Sequence, residues 1–231
     1  MKNWWKFLGV LLVLYTIIQG FLGDVPHLPV LHETIRNLYF HVTMWFAMMI
    51  ILTVSLVYSI KFLGSSKLDN DTYASESANI GILFGIFGIT TGSLWAKFTW
   101  GAWWVRDPQL DGAAITILTY LAYVVLRSSV EDEHKKARLA AVYNIFAYVM
   151  MIVFIGVRPK FTGLDSLHPG KGGNPGFNTY DLDSNMRLVF YPAIMGWTLI
   201  GVWLMTIKVR IQKINYAIIE KESSNTGISS M

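Results

Sequence analysis

Several windows of about 20 residues in this chain contain no Asp, Glu, Lys or Arg. That is the length a helix needs to cross the roughly 30 Å hydrocarbon core of a bilayer. Only 15% of the 231 residues are charged and 53% are apolar, against about 25% charged in an ordinary soluble domain. The mean hydropathy is +0.43. A soluble enzyme is therefore excluded, and so is a disordered chain, which would be polar throughout.

Reading along the sequence gives spans at 4–22, 38–60, 77–98, 112–129, 139–157 and 187–208. The expectation is an all-α, polytopic integral membrane protein. Residues 1–231 form a single domain of six transmembrane helices with external Trp-rich and His-containing loops, and 209–231 form a cytoplasmic tail. The first span resembles a signal peptide, because Lys2 and Lys6 precede an apolar run. It ends in Gly-Phe-Leu-Gly-Asp with no A-x-A site, and Trp4-Trp5 suits an interfacial anchor, so a retained helix is expected.

Basic residues set the orientation. With the N-terminus inside, 12 of the 19 Lys and Arg fall on inner segments and 7 on outer ones. This bias places both termini in the cytoplasm. The net charge of +4 is accounted for in this way, and nucleic-acid binding is not expected. Cysteine is absent, which removes disulfides, thiolate metal sites, iron–sulfur clusters and the C-x-x-C-H attachment site for covalent haem.

Within the spans the residues predict packing rather than chemistry. Gly81, Gly85, Gly88 and Gly92 are spaced by four, three and four, which puts them on one helical stripe where a neighbouring helix can approach closely. Apart from end residues such as Lys97, no charge interrupts the spans. A proton or ion pump would be expected to carry an intramembrane carboxylate or Lys. No G-x-x-x-x-G-K-[ST] is present; Pro169-Gly170-Lys171-Gly172-Gly173 follows no strand and is expected outside the membrane. Any step driven by ATP belongs to a partner.

The unusual polar residues all fall on the outer face. His41 starts the second span. Trp100-Gly101-Ala102-Trp103-Trp104-Val105-Arg106-Asp107-Pro108-Gln109-Leu110 joins spans three and four, and His168 lies in a long loop between spans five and six. Loops of that length are functional or disordered. Each piece also has an ordinary reading. An interfacial His is often just a satisfied polar residue, paired Trp forms an aromatic belt, and Asp107-Pro108 is a helix start with Asp as N-cap and Pro at N1. His27 and His32 lie on the same face. The conjunction carries more weight than its parts: two separated imidazoles can ligate iron on opposite faces of a porphyrin, and indole rings offer apolar contact to its edge.

The segment Trp100–Leu110 resembles the tryptophan-rich WWD signature of the haem-handling proteins of cytochrome c maturation. Six spans in 231 residues are similar to the haem exporter protein C family (CcmC) rather than to the longer lyases and synthetases. Leu38-Tyr39-Phe40-His41-Val42 and Ser166-Leu167-His168-Pro169-Gly170 resemble that family's two histidine motifs. Arg106 stands where the family often has an aromatic residue, Asp111 where it has Thr, and Thr43 where Pro is common.

The resemblance implies a non-enzymatic protein of the bacterial inner membrane. It would hold haem b at the periplasmic face and deliver it to the periplasmic haem chaperone CcmE. His41 and His168 would be axial ligands, and Trp100, Gly101, Trp103, Trp104, Asp107 and Pro108 would form the haem-binding platform. Implied partners are the ABC-type subunits CcmA and CcmB and the small single-span CcmD. The reading from another class is a bis-His membrane cytochrome b, which would place its ligands inside the bundle. A transporter with merely interfacial outer residues is a further alternative.

Overall fold

A computed structural model describes residues 3–158, 168 and 182–225. Among the described residues all regular structure is helical, and six helices are long and apolar enough to cross a membrane. They are α1 (Trp4–Leu22), α2 (Leu38–Ser65), α3 (Leu68–Trp100), α4 (Pro108–Ser128), α5 (Glu133–Met151) and α6 (Ser184–Asn225). A 3-10 turn, His32–Asn37, leads into α2, and a π-helical turn, Ile152–Val157, prolongs α5. The tight connections at 66–67 and 129–132 make α2/α3 and α4/α5 antiparallel hairpins. One end of the bundle, here the histidine end, therefore gathers the 3-10 turn, the start of α2, the end of α3, the start of α4 and the π turn.

The α2 helix forms the centre, burying Met44, Ala47, Met48, Ile51 and Leu52 against its neighbours. Its partner is α3, and the glycine stripe explains how close the two lie. A Cβ built on Gly81 would sit 2.5 Å from Leu52, on Gly85 2.9 Å from Met48 Sδ, on Gly88 2.7 Å from Trp45 and on Gly92 2.5 Å from His41. Each glycine thus leaves room for a side chain of α2, as the spacing predicts, and Gly85 also receives Ile117 of α4, which packs on it more closely than Met48 does. The peripheral helix α1 docks on α6 by the same means, with a Cβ on Gly9 lying 3.0 Å from Leu199 and one on Gly196 3.0 Å from Leu12. Much of its remaining surface is exposed apolar side chain, such as Phe7 and Leu22, which suits contact with lipid.

The helices outrun the apolar spans. The α3 helix begins at Leu68 rather than near residue 77, because Asp69 and Asp71 in its first turn suit the positive end of a helix dipole. The extension carries α3 into a charged stretch ahead of the expected span 77–98, and there Asp71 and Glu76 are both buried. They are compensated by cations. Arg127 grips Asp71 with two hydrogen bonds of 2.7 and 2.8 Å, and Lys208 Nζ lies 3.7 Å from Glu76. These pairs clasp α3 to α4 and α6 at the end opposite the histidines. Nearby, buried Asn144 donates to Ser55 Oγ at 2.7 Å and Ser59 Oγ at 2.8 Å, and Ser55 donates to Ala74 O at 2.6 Å. Such bonds tie α2, α3 and α5 together where lipid offers no substitute partner. The α6 helix runs for 42 residues, about 63 Å at 1.5 Å per residue, so the segment expected as a tail is helical as far as Asn225. The glycines expected to flank His168, among them Gly170, Gly172 and Gly173, lie outside the described residues, as do Ser166, Leu167 and Pro169.

Candidate haem site

His41 occupies the first turn of α2 and is buried at 9% exposure. Its ring lies over Gly92, whose missing Cβ leaves it room. Nδ1 is 2.8 Å from the carbonyl oxygen of Gly88, with Thr91 Oγ1 at 3.4 Å. A carbonyl only accepts, so in this bond Nδ1 carries the proton and Nε2 keeps its lone pair. Metal-ligating histidines are commonly oriented in this way. Trp45 and Trp95 meet the imidazole edge-on, at 6.3 and 5.8 Å between ring centroids.

The turn before α2 is bound to the end of α3. Trp95 Nε1 donates to Thr34 Oγ1 at 3.0 Å, Thr34 and Thr99 hydroxyls pair at 3.0 Å, and Asn37 Nδ2 donates to Thr91 O at 2.8 Å. Arg36 is engaged elsewhere, donating to Gly20 O and Gly23 O at the end of α1 and pairing with Glu33 at 2.7 Å. His27 and His32 are exposed on this connecting segment, and His134 is exposed at the opposite end.

The tryptophan motif divides into three structural parts. Gly101 ends α3 in the left-handed conformation, φ +79°, with its N–H donating to Lys97 O. A side chain would strain that position, which is why glycine terminates the helix there. Trp100, Trp103 and Trp104 follow as a shelf, exposed by 37%, 59% and 42%. Asp107 then caps α4, accepting from the N–H of Gln109 at 2.8 Å and of Leu110 at 3.3 Å, with Pro108 in the first helical position. This is the helix start that Asp-Pro predicts. Pro108 is buried, and the Asp107 side chain is fully buried, unlike the exposed tryptophans of the same motif.

His168 comes to the same place. Its Nδ1 is 3.2 Å from Asp107 Oδ1, with the ring one-quarter exposed. The two candidate ligands lie 127 positions apart in sequence. The π turn adjoins the same helix start: Gly112 of α4 packs directly on the carbonyl of Phe154, and Arg158 donates to Pro108 O at 3.2 Å. Both contacts seat the outgoing end of α5 on the start of α4.

The sequence reading missed Trp45, Trp95 and Arg158, and assigned Gly88 to packing alone. Trp45 was legible in principle, since it follows His41 by four residues and so shares its helix face. Trp95 and Arg158 carry no sequence signal of their own, and the spacing of Gly88 announces a close helix contact rather than a carbonyl acceptor. The described residues offer one imidazole, His41, hydrogen-bonded through Nδ1, a second, His168, with Nδ1 3.2 Å from a carboxylate oxygen, and the exposed indoles of the tryptophan motif. Among the described residues no group of three or more His, Asp or Glu could hold a bare metal ion. Two imidazoles and indole surface instead fit an iron porphyrin.

Comparison with known proteins agrees with this chemistry. Three relatives, each a "Cytochrome c biogenesis protein CcsA", match about half of the chain. One from Prochlorococcus marinus is 33% identical over 117 residues, covering 51% of this chain and 36% of the relative. That of Prochlorococcus marinus subsp. pastoris is 34% identical over 114 residues, covering 49% and 35%. The protein from a Synechococcus species is 35% identical over 102 residues, covering 44% and 32%. The matched stretch is thus about a third of each relative's length. The model of the family described as "Heme exporter protein C" (CcmC) matches residues 1–228. With a match over nearly its whole length, the chain belongs to the heme exporter protein C family.

Proposed function

We propose that this protein holds haem b between His41 and His168 at the periplasmic face of the inner membrane and delivers it to the chaperone CcmE during cytochrome c biogenesis. The observation that supports this reading is that His41, from α2, and His168, from the α5–α6 connection, each have Nδ1 beside a protein oxygen, and that His168 meets the tryptophan motif itself through Asp107. In this arrangement the Nε2 atoms are the available ligands. Delivery requires a bond that can be broken, and imidazole coordination meets that need where a covalent thioether would not. Trp100, Trp103 and Trp104 remain substantially exposed, so they can contact the porphyrin edge and an incoming chaperone together, while Gly101, Asp107 and Pro108 shape the helix ends around them.

The excess of basic residues on the inner segments supports cytoplasmic termini, with CcmA and CcmB supplying ATP hydrolysis and CcmD completing the assembly. The test is visible spectroscopy of the purified full chain, oxidised and reduced, with and without CcmE. A bis-imidazole spectrum that disappears as haem appears on CcmE is expected. His41→Gly and His168→Gly should each loosen haem and open a position that added imidazole fills, whereas His27→Ala and His32→Ala should change little. Haem that stays on this protein and merely cycles between oxidation states would instead indicate an electron-transferring cytochrome b.

A further inference from the structure

The Nδ1 atoms of the two candidate ligands face unlike groups, the first across a hydrogen bond and the second across a close approach to a carboxylate without hydrogen-bond geometry. His41 Nδ1 faces the neutral carbonyl of Gly88 at 2.8 Å, whereas His168 Nδ1 lies 3.2 Å from a carboxylate oxygen of Asp107. Asp107 is well built for such a task. Its side chain is fully buried, its Oδ1 is fixed by the N–H groups of Gln109 and Leu110, and Pro108 restricts the next backbone step. The positive end of α4 favours negative charge there. Arg158, which donates to Pro108 O, brings a cation to the same turn.

We propose that Asp107 is the positioning residue for His168: its capped carboxylate holds the Nδ1 side of the ring so that Nε2 faces the haem iron, and it makes His168 the stronger of two unequal axial ligands. This inference rests on the bis-imidazole reading above. A carboxylate behind a ligating imidazole raises its basicity, which favours the more highly charged ferric iron and lowers the reduction potential. His41, backed by a neutral carbonyl, is the weaker donor and the bond that parts first. The aspartate of the tryptophan motif thus acts through a histidine, not on the shelf itself.

The experiment uses the full chain purified in detergent with haem bound. Asn and Ser cap helices about as well as Asp, so both variants keep the start of α4: Asp107→Asn removes the charge from a side chain of the same shape, and Asp107→Ser removes the carboxyl group altogether. Each variant should retain a bis-imidazole spectrum while ferric haem binds about tenfold less tightly relative to ferrous, the lower end of the effect of removing an outer-shell partner. A tenfold change in a one-electron couple is a rise of about 59 mV in midpoint potential. A merely structural role would lower occupancy in both oxidation states alike and leave the potential in place. An unchanged potential in either variant, with wild-type haem still bis-imidazole, overturns the role of Asp107 alone. Wild-type haem lacking two imidazole ligands overturns the underlying reading as well, so the two failures are told apart.

Discussion

Gly92→Ala separates haem binding from folding. The new Cβ would sit 2.5 Å from His41 Cε1 and 2.9 Å from Nδ1, where ordinary contact begins at 3.4 Å. The ring must therefore move by about 0.9 Å at Cε1, the difference between those distances. The 2.8 Å bond from Nδ1 to Gly88 O cannot survive such a shift unchanged. Overpacking of this kind costs roughly 1–3 kcal/mol. If the ring yields, that cost appears as a loss of haem affinity of about 5- to 150-fold. The helix itself gains, because Ala is favoured over Gly in a helix interior by about 0.8–1.0 kcal/mol. The thermal midpoint in detergent should therefore fall little while haem retention falls sharply. Gly64→Ala is the control, since nothing lies within 4 Å of its Cβ position, and it should leave haem binding intact. Haem titration followed by visible spectra, alongside thermal unfolding of the same samples, reads both quantities. Wild-type retention of haem by Gly92→Ala, insensitive to added imidazole, would refute the idea that this socket positions His41 as a ligand.

Three further outcomes are expected. Trp103→Ala with Trp104→Ala should keep bis-imidazole haem yet fail to form a stable complex with CcmE, read by co-purification; normal delivery would reduce the shelf to an aromatic belt. Arg127→Met should destabilise the protein by about 3–5 kcal/mol by stranding the buried Asp71 carboxylate, and adding Asp71→Leu should restore most of the loss in thermal unfolding. Reporter fusions after Ser66 and Glu133 should read cytoplasmic and those after Gln109 and Gly173 external, a pattern reversed if the basic-residue bias misleads.

The parts of the fold legible in the sequence were those governed by local rules. Apolar windows marked the six helices, Asp107-Pro108 marked the start of α4, and the glycine spacing marked the face of α3 that meets α2. Helix ends were less legible, because a helix does not stop where apolarity stops. Asp71 and Glu76 lie inside α3 because Arg127 and Lys208, remote in sequence, compensate them. The same limit applied at the candidate site. His41 and His168 could be singled out as residue types, but their backing groups, Gly88 O and Asp107 Oδ1, are a backbone atom and a residue already explained as a cap. No pattern within either segment announces a partnership across 61 positions between Asp107 and His168.

The four glycine sockets of α3 also have a mechanical meaning. Leu52, Met48, Trp45 and His41 each occupy one of them, so α2 and α3 engage like a rack in a toothed rail. Any slide short of one helical turn, about 5.4 Å, would drive these teeth out of their slots against backbone, and only a full turn would bring most of them to a neighbouring slot. Packed interfaces of this kind hold discrete positions rather than deforming smoothly. The depth of His41 along the bundle is set by the same stripe that holds the central hairpin together, so on the proposed reading it would be the fixed jaw of the haem clamp. Letting go of a ligand requires movement somewhere other than between α2 and α3.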